Sequence, residues 1–122
     1  MNLSVIKIDD KLDMFKDDFE VESNCNFYLL RLDEKTIGRS KIFTAEQTNN
    51  RLEIFILSEY RGNGYGKYLF GEMLKEIKKD GYKEINVQIN RENIIARKII
   101  EDFGGLKIAQ NKEITTFVVP IK

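Results

Sequence analysis

The sequence predicts an α+β domain built on a mixed, mostly antiparallel sheet of six to seven strands flanked by helices. Three observations carry this. Short runs rich in β-branched and aromatic residues succeed one another through the first half, separated by polar turns, as in a meander of hairpins. Two later stretches repeat apolar residues every four positions, the period of a helix face. Between those two stretches lies a run of strict alternation, which is a strand with one apolar side.

The elements follow in order. Leu3-Ser4-Val5-Ile6-Lys7-Ile8 reads as a first strand, with Leu3, Val5 and Lys7 on one face and Ser4, Ile6 and Ile8 on the other. Asp9 to Glu22 is acidic and places Leu12, Phe15 and Phe19 on one side of a short amphipathic helix. Phe27 to Arg31 is a second strand, and Leu32 to Thr36 a polar turn. Ile37 to Phe43 is a third strand, in which Gly38 marks a bulge. Glu46 to Asn50 forms another turn and Arg51 to Leu57 the fourth strand. A helix then carries Tyr65, Leu69, Met73 and Ile77 on one face, with Phe70 and Leu74 beside them, and stops at Gly81 after Lys78 and Lys79. In the fifth strand Ile85, Val87 and Ile89 alternate with Asn86, Gln88 and Asn90. Asn90 is placed to cap a second helix bearing Ile95, Ile99 and Phe103, with Ala96 and Ile100 alongside, which Gly104-Gly105 ends. Leu106 to Ala109 and Ile114 to Ile121 close the chain as a hairpin.

Composition narrows the function. At 122 residues with 42% hydrophobic content the chain is expected to form one domain over residues 1–122. Lys plus Arg equals Asp plus Glu at 20 each, so no overall field draws in nucleic acid or a membrane surface. Lys75, Lys78 and Lys79 are interspersed with Glu72, Glu76 and Asp80, the pattern of a solvated helix face. There is no histidine, which removes Ser-His and Cys-His mechanisms and argues against a catalytic metal. The single cysteine, Cys25, precludes an intrachain disulfide and reads as a buried thiol. No apolar run spans a bilayer and no signal peptide is recognisable, so a cytoplasmic location is expected.

The chemistry concentrates in Leu57-Ser58-Glu59-Tyr60-Arg61-Gly62-Asn63-Gly64-Tyr65-Gly66-Lys67, where a strand hands over to a helix. A helix's first turn has N–H groups without partners and a partial positive charge, and glycines let a ligand approach that backbone. This is a phosphate cradle, with Arg61 and Lys67 available to add charge. A P-loop needs four residues between its glycines, then Lys and a hydroxyl. Here three residues separate Gly62 from Gly66, and Tyr68 follows Lys67. The dinucleotide fingerprint also fails, because the spacing is Gly-x-Gly-x-Gly and the next strand runs into Asn90 rather than an acid. A glycine-rich turn with no ligand is the plain alternative.

Arg61-x-x-Gly64-x-Gly66 does fit one pattern: it resembles the coenzyme A pyrophosphate motif of the GNAT superfamily of N-acetyltransferases, including the aromatic Tyr60 before the Arg. The order of elements resembles the GNAT fold nearly end to end, with the helical region after the first strand shortened. The resemblance implies acetyl-coenzyme A lying in a splay between the fourth and fifth strands. Backbone amides of Tyr65 to Lys67 would hold the pyrophosphate, with Arg61, Gly62, Asn63 and Gly64 forming the loop. The pantetheine arm would pair with the fourth strand near Phe55, Ile56 and Leu57, and Asn93, of an Asn93-x-x-Ala96 match, would bond it too. Ser58 stands where many members have proline.

Three departures accompany the match. The tyrosine that members often use as acid for the departing thiolate is Ile100 here, and the usual Gly-Phe is Gly104-Gly105. The usual glutamate base falls near Asn50, leaving Glu59 and Glu53 as the nearby carboxylates, with Tyr60 and Tyr28 weaker candidates. The expected activity is transfer of acetyl from acetyl-coenzyme A to a primary amine, of a small molecule or a peptide, by direct attack. A shortened wall implies an open acceptor site, or one completed by a second copy in a homodimer. The rival reading is a module that binds or senses acyl-coenzyme A with little transfer.

Overall fold

The computed structural model describes residues 2–8, 25–43 and 50–122. The acidic helix expected over Asp9 to Glu22, the shortening of that region and most of the turn at Glu46 to Asn50 lie outside these. Seven strands form one sheet: β1 (Leu3–Ile8), β2 (Cys25–Leu32), β3 (Lys35–Phe43), β4 (Arg51–Ile56), β5 (Glu84–Asn90), β6 (Leu106–Gln110) and β7 (Ile114–Pro120). Their order across the sheet is β1-β2-β3-β4-β5-β7-β6. Helix α1 (Tyr65–Lys79) connects β4 to β5, and α2 (Ile94–Asp102) connects β5 to β6. Every neighbouring pair is antiparallel except β4 and β5, which run parallel.

The apolar run in β2 is continuous because both of its faces are covered. Tyr28 and Leu30 join the main core with Ile37, Ile42, Leu52, Val87 and Phe117, against Leu69, Met73 and Ile77 of α1. Cys25, Phe27 and Leu29 face the other way and cluster with Phe43 and Ile8. Nineteen buried apolar side chains, Cys25 among them, make up these two clusters. Burying each full side chain contributes about 1.5–3 kcal/mol, so they dominate stability.

Local signals hold at several turns. Gly38 sits at the bulge: β2 and β3 slip register between Leu30 and Arg31, leaving Ile37 as the extra residue. A Cβ on Gly38 would lie 2.8 Å from Ile56 Cδ1 and 2.9 Å from Phe55 O, so β4 can approach only a glycine there. At the end of α1, Gly81 adopts φ 85 and its N–H donates to Lys78 O, while Tyr82 N–H donates to Ile77 O. These paired bonds are a Schellman cap.

The second helix differs from expectation. Asn90 does not cap it; its Oδ1 accepts the Glu92 N–H at 2.9 Å in a local turn. Asn93 is the cap, with Oδ1 accepting from Ala96 N–H at 3.1 Å. Starting later, α2 has nine residues, and its buried side is centred on Ile100. Ile95, expected on the core face, is 73% exposed, whereas Ile100 is 2% exposed.

Candidate functional site

Between β4 and β5 the sheet opens. Only Arg51↔Asn86 and Leu52↔Val87 are paired, after which the two strands part. Asn50 O accepts Asn86 N–H, and Leu57 N–H donates to Ile37 O on β3. Backbone groups alternate sides along a strand, so those of residues 51, 53, 55 and 57 turn toward β3 and those of 52, 54 and 56 toward the opening. The strand edge in the splay is therefore carried by Ile54 and Ile56. Of Phe55 and Leu57, both expected to offer backbone partners there, Phe55 faces β3, while Leu57 gives its N–H to Ile37 O and its carbonyl accepts from Tyr60 N–H.

At the end of β4 a 3-10 turn (Ser58–Tyr60) leads into the glycine loop. Gly62 and Gly64 both adopt φ 82 and have open space where a Cβ would stand. The left-handed backbone, not crowding, is what demands glycine at these two positions. Gly66 is different: a Cβ there would meet Ile56 Cγ1 and Ile99 Cδ1 at 3.8 Å, ordinary contact. Gly64 is the N-cap of α1 without a side-chain bond, and the first loop-to-helix bond runs from Tyr68 N–H to Gly64 O. That leaves the N–H groups of Tyr65, Gly66 and Lys67 without acceptors in the helix.

The loop is tied down by its own polar side chains. Arg61 Nε donates to Ile56 O at 2.9 Å, and its guanidinium lies 5.3 Å from the Phe55 ring centroid. Arg61 thus joins loop to strand edge, using a carbonyl that faces the splay. Asn63 Nδ2 donates to Tyr60 O and Arg61 O, both at 3.3 Å.

The splay holds a cleft of about 1010 Å³. Of the residues expected at the site, Glu53, Phe55, Ile56, Arg61, Gly62, Gly64, Gly66, Lys67 and Asn93 line it. Leu57, Asn63 and Tyr65 do not, and neither does Glu59, which is exposed on the 3-10 turn. Glu53 Oε2 lies 3.3 Å from Lys41 Nζ. The cleft also takes Tyr60, one of the weaker candidates, and Arg39, Gln88, Asn90, Ile95 and Ile99, which sequence reasoning did not place at the site. Gln88 and Asn90 had a signal in their alternation with apolar neighbours. Arg39 had none, because only the β3–β4 register sets it beside Phe55, with its guanidinium 4.4 Å from the ring centroid. Tyr28 packs in the main core, where burial and then the carboxylates of Glu76 and Asp80 push its hydroxyl up to about 12.

Residues 4–104 match the acetyltransferase (GNAT) family. The chain belongs to the GNAT family. Its fold is shared with a GNAT acetyltransferase from Elizabethkingia anophelis with acetyl-CoA bound, at TM-score 0.81 and 12% identity, covering 98% of each chain. A domain from Methanocaldococcus jannaschii aligns at TM-score 0.77 and 18% identity, again over 98% of each chain. The ribosomal-protein-S18-alanine N-acetyltransferase of Escherichia coli aligns at 0.74 and 16% identity, over 84% of this chain and 72% of that one. No curated protein matches the sequence.

In this GNAT domain two of the departures from the motif, Ile100 and Gly105, touch each other. A Cβ on Gly105 would lie 2.4 Å from Ile100 Cγ2 and 2.8 Å from Ile100 O, and Gly105 N–H donates to that same oxygen at 2.9 Å. The aromatic ring is supplied two residues earlier by Phe103, 5.1 Å from Phe70 between centroids and packed over Gly71. Asn50 is 4% exposed at the closed end of the splay, where its carbonyl pairs β4 with β5.

Among the described residues no helix is long and apolar enough to cross a membrane, and no group of acids and cysteines could hold a metal ion.

Proposed function

We propose that this GNAT domain, spanning residues 1–122, transfers an acetyl group from acetyl-CoA to a primary amine of a small molecule or peptide in the cytoplasm. The observation that carries this reading is the set of three first-turn N–H groups, Tyr65 to Lys67, at the mouth of a splayed sheet. They suit a diphosphate, since an anion at a helix N-terminus satisfies both the open donors and the dipole. Lys67 adds a charge from the cleft wall. The pantetheine arm pairs with the Ile54 and Ile56 edge, and Asn93, whose Oδ1 is committed to capping, bonds it through Nδ2. The likeness to a structure holding acetyl-CoA supports the choice of cosubstrate.

The acceptor nitrogen attacks the thioester carbonyl carbon, a C–N bond forms, and the C–S bond breaks. Catalysis comes mainly from orientation and from backbone donors on the carbonyl oxygen. An amine attacks only when neutral, so its proton leaves through water, with Glu53 the carboxylate on the cleft wall that receives or relays it. Glu53 is preferred to Glu59 because it lines the cleft. With Ile100 in place of a tyrosine, the thiolate takes its proton from water.

The test is a calorimetric titration with acetyl-CoA on wild type and Gly64→Val, followed by thiol release over a panel of amines and peptides. Binding weakened at least about tenfold in the variant, with amine-dependent thiol release by wild type, supports the transferase. Binding without turnover of any amine favours a coenzyme sensor, the reading that buried Ile100 supports. Absence of binding overturns both.

A further inference from the structure

Behind the cleft wall stands a buried amine that the proposed transfer does not use. Lys41 on β3 faces Phe27 on β2 and Glu53 on β4 as a direct cross-strand partner. The Lys41 side chain is 7% exposed, against 44% for Glu53. Its Nζ lies 3.3 Å from Glu53 Oε2 and 4.7 Å from the centroid of the Phe43 ring. Phe27 and Phe43 are both buried.

As a stability device this is a poor choice. An ammonium withdrawn from water beside the Phe43 ring loses hydration, and an apolar side chain there would serve the core as well or better. What the pair provides is placement. Residues directly opposite on neighbouring strands are held by the ladder on both sides. The neighbouring cations Arg39 and Arg51 lie over the Phe55 and Phe43 rings, at 4.4 Å and 4.2 Å, and the Lys41 ammonium stands on this carboxylate.

We infer that Lys41 is a positioning residue for the acceptor amine. It occupies Glu53 Oε2 and holds the carboxylate against the cleft wall, leaving Oε1 to receive the acceptor's ammonium and orient its nitrogen. The inference rests on the proposed transfer reading, and it predicts an effect on acceptor use without one on acetyl-CoA binding.

The experiment compares wild type with Lys41→Met, Lys41→Arg, Glu53→Gln and the Lys41→Met/Glu53→Gln double variant. Lys41→Met should raise acceptor KM about tenfold and, because Glu53 also takes the amine's proton, lower kcat toward that of Glu53→Gln, with acetyl-CoA affinity within about twofold. Lys41→Arg should recover most of the loss, and the double variant should be no worse than Glu53→Gln alone. An unchanged acceptor KM in Lys41→Met, or the same loss on top of Glu53→Gln, overturns the inference. A crystal structure of Lys41→Met, or of Lys41→Gln should Met prevent folding, gives a readout independent of turnover. Glu53 leaving the cleft wall supports positioning, and Glu53 unmoved overturns it. A wild type that acetylates no amine counts against the transfer reading, while the structure still decides what Lys41 does.

Discussion

Gly64 and Gly66 sit two positions apart and are glycines for different reasons. At Gly64 the backbone is left-handed, a conformation that costs a branched residue at least about 1–2 kcal/mol. At Gly66 an added methyl group meets two side chains at ordinary distance. Gly64→Val should therefore lower stability by about that amount and impair cofactor binding, whereas Gly66→Ala should leave the melting temperature within a few degrees. Thermal melts of the two variants check this. Tyr28 supplies a pH dependence. Its folded value of about 12 exceeds the ordinary 10.0, so the fold prefers the neutral phenol. That contribution is complete below about pH 10 and is lost as pH rises toward 12, at no more than about 1.4 kcal/mol per pH unit. Denaturant titrations between pH 8 and 11.5 should show a steeper alkaline loss for wild type than for Tyr28→Phe. Equal slopes would count against the burial argument.

At the scale of elements, α2 separates capping from binding. Asn93 Oδ1 caps the helix, while the proposed cofactor contact uses Nδ2. Asn93→Ala should lose the cap, about 1 kcal/mol, together with acetyl-CoA affinity. Asn93→Asp keeps an acceptor for the Ala96 N–H and removes the donor, so stability should hold while affinity falls. A chemical-denaturation curve and a binding isotherm on both variants decide between the roles. The same helix explains why its boundary was hard to read. Asn90 and Asn93 are both good caps, and the choice was made by the turn that Asn90 forms with Glu92. Of the apolar stripe, Ile99, Ile100 and Phe103 pack on the core, and Ile95 alone lines the cleft without joining it.

For the whole molecule, the parallel pair β4–β5 is the one place among the described residues where the sheet comes apart, and it lies between two hairpin-built halves. A ligand that bridges the opening binds the folded state only. Saturating acetyl-CoA at about 100 times its dissociation constant should add about 2.7 kcal/mol, or roughly 10 °C in Tm for a domain of this size. A shift below about 2 °C at that concentration would contradict binding across the splay.

Much of this architecture is written locally. The Gly81 stop, the bulge at Gly38, the glycine loop and the alternation of β5 each depend on a few adjacent residues, because backbone conformation and side-chain period are short-range properties. The sequence by itself determined the order of elements, the GNAT motif and the absence of imidazole chemistry. Which carboxylate lines the cleft, which backbone groups face the opening and what stands behind Glu53 were decided by the tertiary structure. Those features depend on register between strands distant in sequence. The pairing of Lys41 with Glu53 and of Gly38 with Ile56 follows from how the two faces of the sheet bury their apolar side chains together, which no single segment encodes.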